Sequence, residues 1–193
     1  MRGPPPQTET LMTASPFDHP FLSGLLGDDE IAPYFSAAAD IRAMLSFEAA
    51  LAKAEAAHGL IPAEAARRIT DTCAAFSADV PSLRSATARD GVVVPDLIKQ
   101  LRADVGEEAA KSLHLGATSQ DVLDTATVLC LREACERICA LAVDLGDASA
   151  TLAKRHRATP MVARTLLQPA APVPFGWKAA MWLAPLARAC RHF

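Results

Sequence analysis

The sequence predicts an all-α protein, in which an N-terminal helical domain precedes the start of a bundle of long helices. Hydrophobic residues make up 51% of the chain but aromatic residues only 5%, a balance that favours closely packed helices over a β-sandwich. From Ser119 to about Arg155 apolar residues recur at helical spacing with no proline. A helix of that length, about 55 Å at 1.5 Å per residue, needs partner helices of similar length. We therefore expect a bundle that other subunits complete.

The shorter helices follow from periodicity and from the residues at their ends. Ser36 is a suitable N-cap for a helix from Ala37 to Ala57, whose apolar stripe also includes Glu48. Gly59 ends this helix and Pro62 opens the next one. Further helices are expected over Ala63–Ser77, from Pro95 to Gly106, over Glu107–Leu113 and from Gly176 onwards.

The remaining segments define the predicted domains. Residues 1–15 are rich in proline and polar residues and predict a disordered tail. Residues 16–112 form the expected N-terminal helical domain, and residues 113–193 the expected incomplete long-helix bundle. The segment "DVPSLRSATARDGVVVPD" reads as a long connection, and "RATPMVARTLLQPAAPVPFG" as an extended segment broken by prolines. No strand pair is predicted, and "GVVVPD" is the only β-like run.

Charge and cysteine usage limit the partners and the compartment. The net charge is −3 and no basic stripe is present, which argues against nucleic acid and anionic membranes as partners. The five cysteines include no C-x-x-C pair, and no secretory signal is evident, so we expect reduced thiols in a cytoplasmic protein. Cys135 and Cys139 lie one helical turn apart and with a nearby histidine could hold a metal. Packing in a helix interface is the favoured alternative, and no metal site is predicted.

The stretch "HLGATSQDVLDTA", residues 114–126, places many hydrogen-bonding groups at the start of the longest helix. Thr118 and Asp121 have the spacing of a capping box, and Asp121 suits the positive end of the helix. Capping leaves Ser119 and Gln120 unexplained. Unpaired N–H groups beside hydroxyls also suit a bound carboxylate, and from these residues alone the cap and the anion site are equally supported.

Two motifs resemble the fumarase/aspartase superfamily. "GATSQDVLDTA" resembles its T-S-x-D-x-x-D-T signature, and "RTLLQPAAPVPFGWKAAMWL" resembles its G-R-T-H-x-Q-x-A-x-P-x-T-F-G-x-K segment. The resemblance implies homotetramers built on long helices, with active sites shared between subunits. After the tail, the whole chain is most similar to the bacterial 3-carboxy-cis,cis-muconate cycloisomerase branch. That branch lactonises its substrate in protocatechuate degradation, the β-ketoadipate pathway, without metal or organic cofactor.

Two departures from the superfamily pattern leave alternatives open. Leu166 stands where most of these lyases carry a catalytic histidine, and an aliphatic side chain cannot transfer a proton. The cycloisomerase branch lacks this histidine, so Leu166 argues against an adenylosuccinate or argininosuccinate lyase, the alternative within the superfamily. Family members are about twice as long, and their serine-containing catalytic loop has no match in this chain. A truncated, catalytically silent assembly module is the third possibility.

The resemblance and the chemistry of the side chains together assign the candidate site. His114 and Ser119 are the expected catalytic residues, with His114 as an acid or as a charge partner for a polycarboxylate substrate. The alternative for Thr118 and Ser119 is helix capping, for His114 a structural hydrogen bond, and for Lys178 a lysine lying along its own helix. The expected substrate ligands are Thr118, Ser119, Gln120, Arg164, Thr165, Gln168 and Lys178.

Overall fold

The computed structural model describes residues 15–192 and confirms the predicted all-α class. Apart from Ser15, the predicted tail lies outside the described residues. The described residues divide into two compact units, the first ending at Leu131 and the second beginning at Arg132, and the boundary falls inside the longest helix. The predicted division at residues 112 and 113 stays a prediction. The helices are α1 (Ser23–Leu26), α2 (Ala37–Ala57), α3 (Ala63–Ala75), α4 (Val80–Asp90), α5 (Val94–Val105), α6 (Glu107–Ala110), α7 (Ser119–Arg155) and α8 (Phe175–Ala189), with a 3-10 turn at Ala32–Phe35.

The core of the first unit lies around α2. Ser36 caps this helix as predicted, because its Oγ accepts a hydrogen bond from the Ala39 N–H at 3.2 Å. Helix α2 packs against α3, and α3 packs against α5 and α6. The beginning of α7 joins the same core through Val122 and Ala126. The start of α7 is therefore held by packing on the helices before it.

Two expectations for residues 79–96 were wrong. The predicted connection contains α4, which Asp79 caps by accepting a hydrogen bond from the Ser82 N–H at 3.0 Å. Gly91 ends α4 at φ +76, a left-handed conformation that glycine adopts at little cost. The β-like run "GVVVPD" forms the turn and the first residues of α5, where Val94 is buried. Proline in the first turn is compatible with a helix, so Pro81 and Pro95 mark helix starts and not loops.

The second unit contains a β-hairpin that the sequence did not predict. Strand β1 (Pro160–Thr165) pairs with β2 (Gln168–Pro174) in antiparallel register, with an irregularity between Val162 and Arg164. Three prolines in β2 argued against a strand. Both strands of a two-stranded ribbon are edge strands, however, and an edge strand tolerates a residue that lacks an N–H on its outer side.

Gly176 allows the hairpin to return to the end of α7. The Phe175 N–H donates to the Thr159 carbonyl at 2.8 Å, and the Gly176 N–H donates to the His156 carbonyl at 2.9 Å. A Cβ at position 176 would lie 2.8 Å from the backbone nitrogen of Arg157, closer than side chains pack. A larger residue would therefore push α8 away from α7.

Candidate active site

Thr118 and Asp121 form the predicted capping box at the start of α7. The backbone N–H of Thr118 donates to Oδ2 of Asp121 at 2.8 Å, and the Thr118 hydroxyl donates to the same oxygen at 3.1 Å. The Asp121 N–H returns a hydrogen bond of 3.4 Å to Oγ1 of Thr118. The two bonds from Thr118, with a smaller contribution from the charge of His114, hold the pKa of the Asp121 carboxyl below its usual range.

Ser119 and Gln120 are not part of this cap. Gln120 donates from Nε2 to Oδ1 of Asp124 at 2.6 Å, one helical turn later. Among the residues that the structure describes, the Ser119 hydroxyl makes no hydrogen bond, and Ser119 is half-buried. Ser119 is the first residue of α7, and the backbone N–H groups of the first turn of a helix lack partners within the helix. Its hydroxyl therefore stays available to a ligand beside the helix N-terminus.

His114 is held against the core by a buried carboxylate that the sequence interpretation missed. Its Nδ1 lies 2.7 Å from Oε1 of Glu48, a residue of α2 whose side chain is only 1% exposed. The His114 backbone is in the left-handed region at φ 60, which is uncommon for a residue with a Cβ. Burial raises the pKa of the Glu48 carboxyl, and the hydrogen bond and charge of His114 act against that rise.

Glu48 did give a signal in the sequence. It occupies the apolar stripe of α2 between Leu45 and Ala52, where a carboxylate is costly unless it is paired. A charged residue on the buried face of a helix therefore indicated a buried partner. The identity of that partner was not predictable, because His114 lies 66 residues further along the chain.

In the second unit the hairpin gathers three of the predicted ligands. Arg164 and Thr165 end β1, Gln168 begins β2, and Thr165 and Gln168 are register partners. All three line one surface cleft of about 530 Å³ at the hairpin tip. The two-residue turn between the strands holds Leu166 and Leu167, with Leu166 88% exposed. The position that carries a histidine in most superfamily lyases is thus an exposed leucine at the hairpin tip.

Lys178 has the environment of a helix-surface lysine. Its Nζ lies 5.6 Å from the centre of the Trp182 ring, one turn further along α8, within the range of a cation–π interaction. Trp182 in turn contacts Phe175 edge to face, with ring centroids 6.4 Å apart. Lys178 does not line the hairpin cleft.

No part of the described chain gathers a metal site. Among residues 15–192, no three His, Cys, Asp or Glu side chains come together as metal ligands would. The same residues include no helix that is both long and apolar enough to cross a membrane.

Comparison with known proteins identifies the family. A sequence model of the family described as lyase matches residues 27–193. The chain belongs to this lyase family. The match confirms the resemblance to the fumarase/aspartase superfamily that the two motifs indicated.

Two curated relatives of the chain have different named activities. The chain is 53% identical over 155 residues to the 3-carboxy-cis,cis-muconate cycloisomerase of Bradyrhizobium diazoefficiens. The matched region covers 77% of the chain and 34% of that protein. The chain is 38% identical over 182 residues to the nitrosuccinate lyase of Streptomyces davaonensis, covering 93% of the chain and 38% of the relative. The chain thus spans little more than a third of the length of these relatives.

Solved structures show the same similarity. The chain superposes on the 3-carboxy-cis,cis-muconate lactonizing enzyme from Pseudomonas putida with a TM-score of 0.79 at 41% identity, and the match covers 84% of the chain and 38% of that structure. For a fumarate lyase from Mesorhizobium the TM-score is 0.80 at 43% identity, with 86% and 39% coverage. The long helix and its neighbours therefore have the architecture of this enzyme family.

Proposed function

We propose that the chain supplies substrate-binding and catalytic residues to a cytoplasmic cycloisomerase that lactonises 3-carboxy-cis,cis-muconate in protocatechuate degradation. The observation that carries this proposal is that different residues cap α7 and offer a free hydroxyl at its start. Thr118 and Asp121 complete the helix cap, and the half-buried Ser119 hydroxyl is left over beside the helix N-terminus. The identity of 53% to a named cycloisomerase supports the choice of substrate.

The chemistry of lactonisation matches these groups. One carboxylate of the substrate attacks a carbon of the diene, a C–O bond forms, and a proton is delivered to the adjacent carbon. Negative charge develops on the carboxyl group conjugated with that carbon, as in an enolate, and directed hydrogen-bond donors stabilise it. The Ser119 hydroxyl and the backbone N–H groups of Ser119 and Gln120, which the cap does not use, are such donors, and the Thr118 side chain borders the same position.

The hairpin cleft adds a second set of carboxylate ligands. Arg164 offers a guanidinium that can bind a carboxylate through two parallel hydrogen bonds, while Thr165 and Gln168 offer neutral donors. Their common position at one cleft supports the role that the resemblance implies for them. Lys178, which lies over Trp182, attracts the anionic substrate with its positive charge near the start of α8.

A lyase that releases fumarate is the second candidate, because the relatives include a nitrosuccinate lyase and a solved fumarate lyase. Leu166 weighs against an adenylosuccinate or argininosuccinate lyase. It cannot act as an acid or a base, and at 88% exposure it is not packed into a site of the described chain.

The proposed enzyme is a homo-oligomer, with a tetramer as the form that the family resemblance implies. Large apolar side chains remain exposed along α7 and α8 of the chain, more than a monomer normally leaves in water. The proposed partners are a small polycarboxylate and further copies of the chain, with no role for nucleic acid or membrane.

Turnover assays test the function. The chain alone is compared with a fusion that continues after Phe193 into the corresponding remainder of the Bradyrhizobium diazoefficiens cycloisomerase. Loss of the diene absorbance of 3-carboxy-cis,cis-muconate, with the lactone identified by NMR, is the expected result for the fusion. Fumarate formed from adenylosuccinate or argininosuccinate would favour the second candidate. A folded fusion with neither activity would favour a silent assembly module.

A further inference from the structure

Among the described residues, Glu48 and His114 are the one pair in which a buried carboxylate forms a hydrogen bond with a residue of the candidate site. We propose that Glu48 is a positioning residue that keeps a proton on Nδ1 of His114 and so leaves Nε2 to face the substrate. The inference rests on the proposed function, because it gives His114 its role at that site. It adds to that proposal a residue that contacts no substrate and acts through His114.

The geometry of Glu48 is that of a fixed hydrogen-bond acceptor. Its side chain is 1% exposed, and Oε1 lies 2.7 Å from Nδ1 of His114. Within the described residues, Oε2 of Glu48 makes no hydrogen bond. The imidazole is thus the group that compensates the buried carboxylate, which would otherwise be costly to the fold.

His114 is held from the backbone side as well. It follows the buried Leu113 in the turn between α6 and α7, and its φ of 60 places it in the left-handed region. Residues in this region are sparse and recur at functional sites. The Leu113 carbonyl accepts a hydrogen bond of 3.3 Å from Nη2 of Arg102 on α5, which fixes the turn immediately before His114.

The charged neighbours of His114 come from three helices. On α2, Glu55 lies two turns beyond Glu48 and is also buried, and on α7 the Asp121 carboxylate faces the charge of His114. The charge of Glu55 raises the pKa of the Glu48 carboxyl, and the charge of Arg102 on α5 lowers it. Among these groups, only Glu48 lies within hydrogen-bond distance of the imidazole in the described chain.

The consequence is chemical. A carboxylate that accepts the Nδ1 proton fixes the tautomer of a neutral histidine, so that Nε2 carries the lone pair. When the ring is protonated, Nδ1–H still donates to Glu48, and Nε2–H becomes a donor for a substrate carboxylate. The His114 side chain is 15% exposed, and within the described residues its Nε2 makes no hydrogen bond. One nitrogen is therefore bound to the core while the other is open to a ligand.

Magic-angle spinning NMR tests this inference on the sedimented 193-residue chain, labelled with 15N in histidine and serine. The method does not depend on the oligomeric state of the sample. Loss of one signal in His114→Gln assigns the ring among five histidines. In the neutral ring we expect a protonated Nδ1 and an unprotonated Nε2. In Glu48→Leu the proton should shift to Nε2, the tautomer that free imidazole prefers in water. The matched control Glu55→Gln, which changes a buried carboxylate on the same helix, should keep the wild-type pattern.

A wild-type ring protonated at Nε2 would overturn the inference, since Glu48 would then be the donor. This outcome requires no variant, so the test survives if Glu48→Leu does not fold. An unchanged tautomer in a folded Glu48→Leu would also overturn it.

Addition of 3-carboxy-cis,cis-muconate separates a positioning role from a merely structural pair. We expect the Nε2 resonance of His114 and the amide resonance of Ser119 both to move, while Nδ1 stays in place. If Ser119 moves and Nε2 does not, the pair is structural and this inference alone fails. If neither moves, the proposed function fails at this site, and the substrate role of His114 fails with it.

Discussion

Thr118 and Asp121 together cap the start of α7 through reciprocal hydrogen bonds. This pair shows which residues of the motif have a structural role. Three hydrogen bonds join the two residues, so the free N-terminal groups of the helix are partly satisfied without Ser119. Capping and ligand binding were equally supported by the sequence alone. The structure assigns the cap to Thr118 and Asp121, and the Ser119 hydroxyl takes no part in it.

The cap predicts how stability depends on pH. The folded-state pKa of Asp121 is lowered, mainly by the N–H and hydroxyl of Thr118, so its contribution is present above the unfolded pKa, about 3.9, and is lost as pH falls through the folded value. Asp121→Asn should therefore melt below the wild type at pH 7, and the two melting temperatures should converge below pH 4. Circular dichroism melts across this range measure the difference. An equal difference at pH 3 and pH 7 would remove the charge from the explanation.

The burial of Cys73 predicts that its thiol reacts slowly with alkylating reagents. Burial, followed by the charge of Glu48, raises the pKa of Cys73 to about 11, and the reactive thiolate is scarce below that pH. At pH 8 we expect iodoacetamide to modify the half-buried Cys135, Cys139 and Cys190 well before Cys73. Peptide mass spectrometry over time measures each rate. Modification of Cys73 at the rate seen in the urea-unfolded chain would show that this part of the core opens readily.

The elements that were predicted correctly and those that were missed differ in how clear their local sequence pattern is. Helix α7 was predicted with the bounds that the structure shows, Ser119 to Arg155, because one period continues for 37 residues behind a polar cap. Helix α4 was missed because it is short and mostly exposed, so little apolar periodicity remains to be seen. The hairpin was missed because proline statistics for central strands do not apply to a two-stranded ribbon.

The candidate site shows the same limit. Local patterns located Ser119 and the pair Thr118 and Asp121, whose mutual hydrogen bonds span one turn. The position of Arg164, Thr165 and Gln168 at one cleft depends on the hairpin, and the partner of Glu48 depends on the packing of α2 against a turn 66 residues away. Contacts that tertiary packing creates leave only an indirect trace in the sequence, here a carboxylate on an apolar stripe.

Leu166 provides a test of what sets the reaction class. Restoring histidine there should create no fumarate-forming activity in the fusion protein, because Leu166 stands exposed at the hairpin tip and the rest of the site remains unchanged. Coupled assays with adenylosuccinate and argininosuccinate measure this activity, with lactonisation by the same Leu166→His sample as the internal standard. Release of fumarate would mean that this single position decides between cycloisomerase and lyase.

The exposed side of α7 predicts self-association. Burying such side chains gives about 25 cal/mol per Å² of apolar surface, and copies of the same helix offer cover of matching length. Sedimentation equilibrium at micromolar concentration should therefore find species larger than the 20.4 kDa chain, or a chain that is poorly soluble. A soluble, monodisperse monomer with a cooperative melt would contradict this expectation. The exposed apolar residues of α7 are Val128, Leu131, Ile138, Leu141, Val143, Leu145 and Leu152.

Turnover of Ser119→Ala in the fusion protein tests whether the Ser119 hydroxyl binds substrate or only belongs to the first residue of a helix. Thr127→Ala is the matched control, because its hydroxyl lies on the same helix and donates only to the Leu123 carbonyl. Losing a hydrogen bond to a charged group costs about 1.5–3 kcal/mol, so Ser119→Ala should turn over about 10- to 150-fold more slowly. Its helix content should not change, and Thr127→Ala should stay near the wild-type rate. Wild-type turnover in Ser119→Ala would contradict the account and reduce the motif to a helix cap.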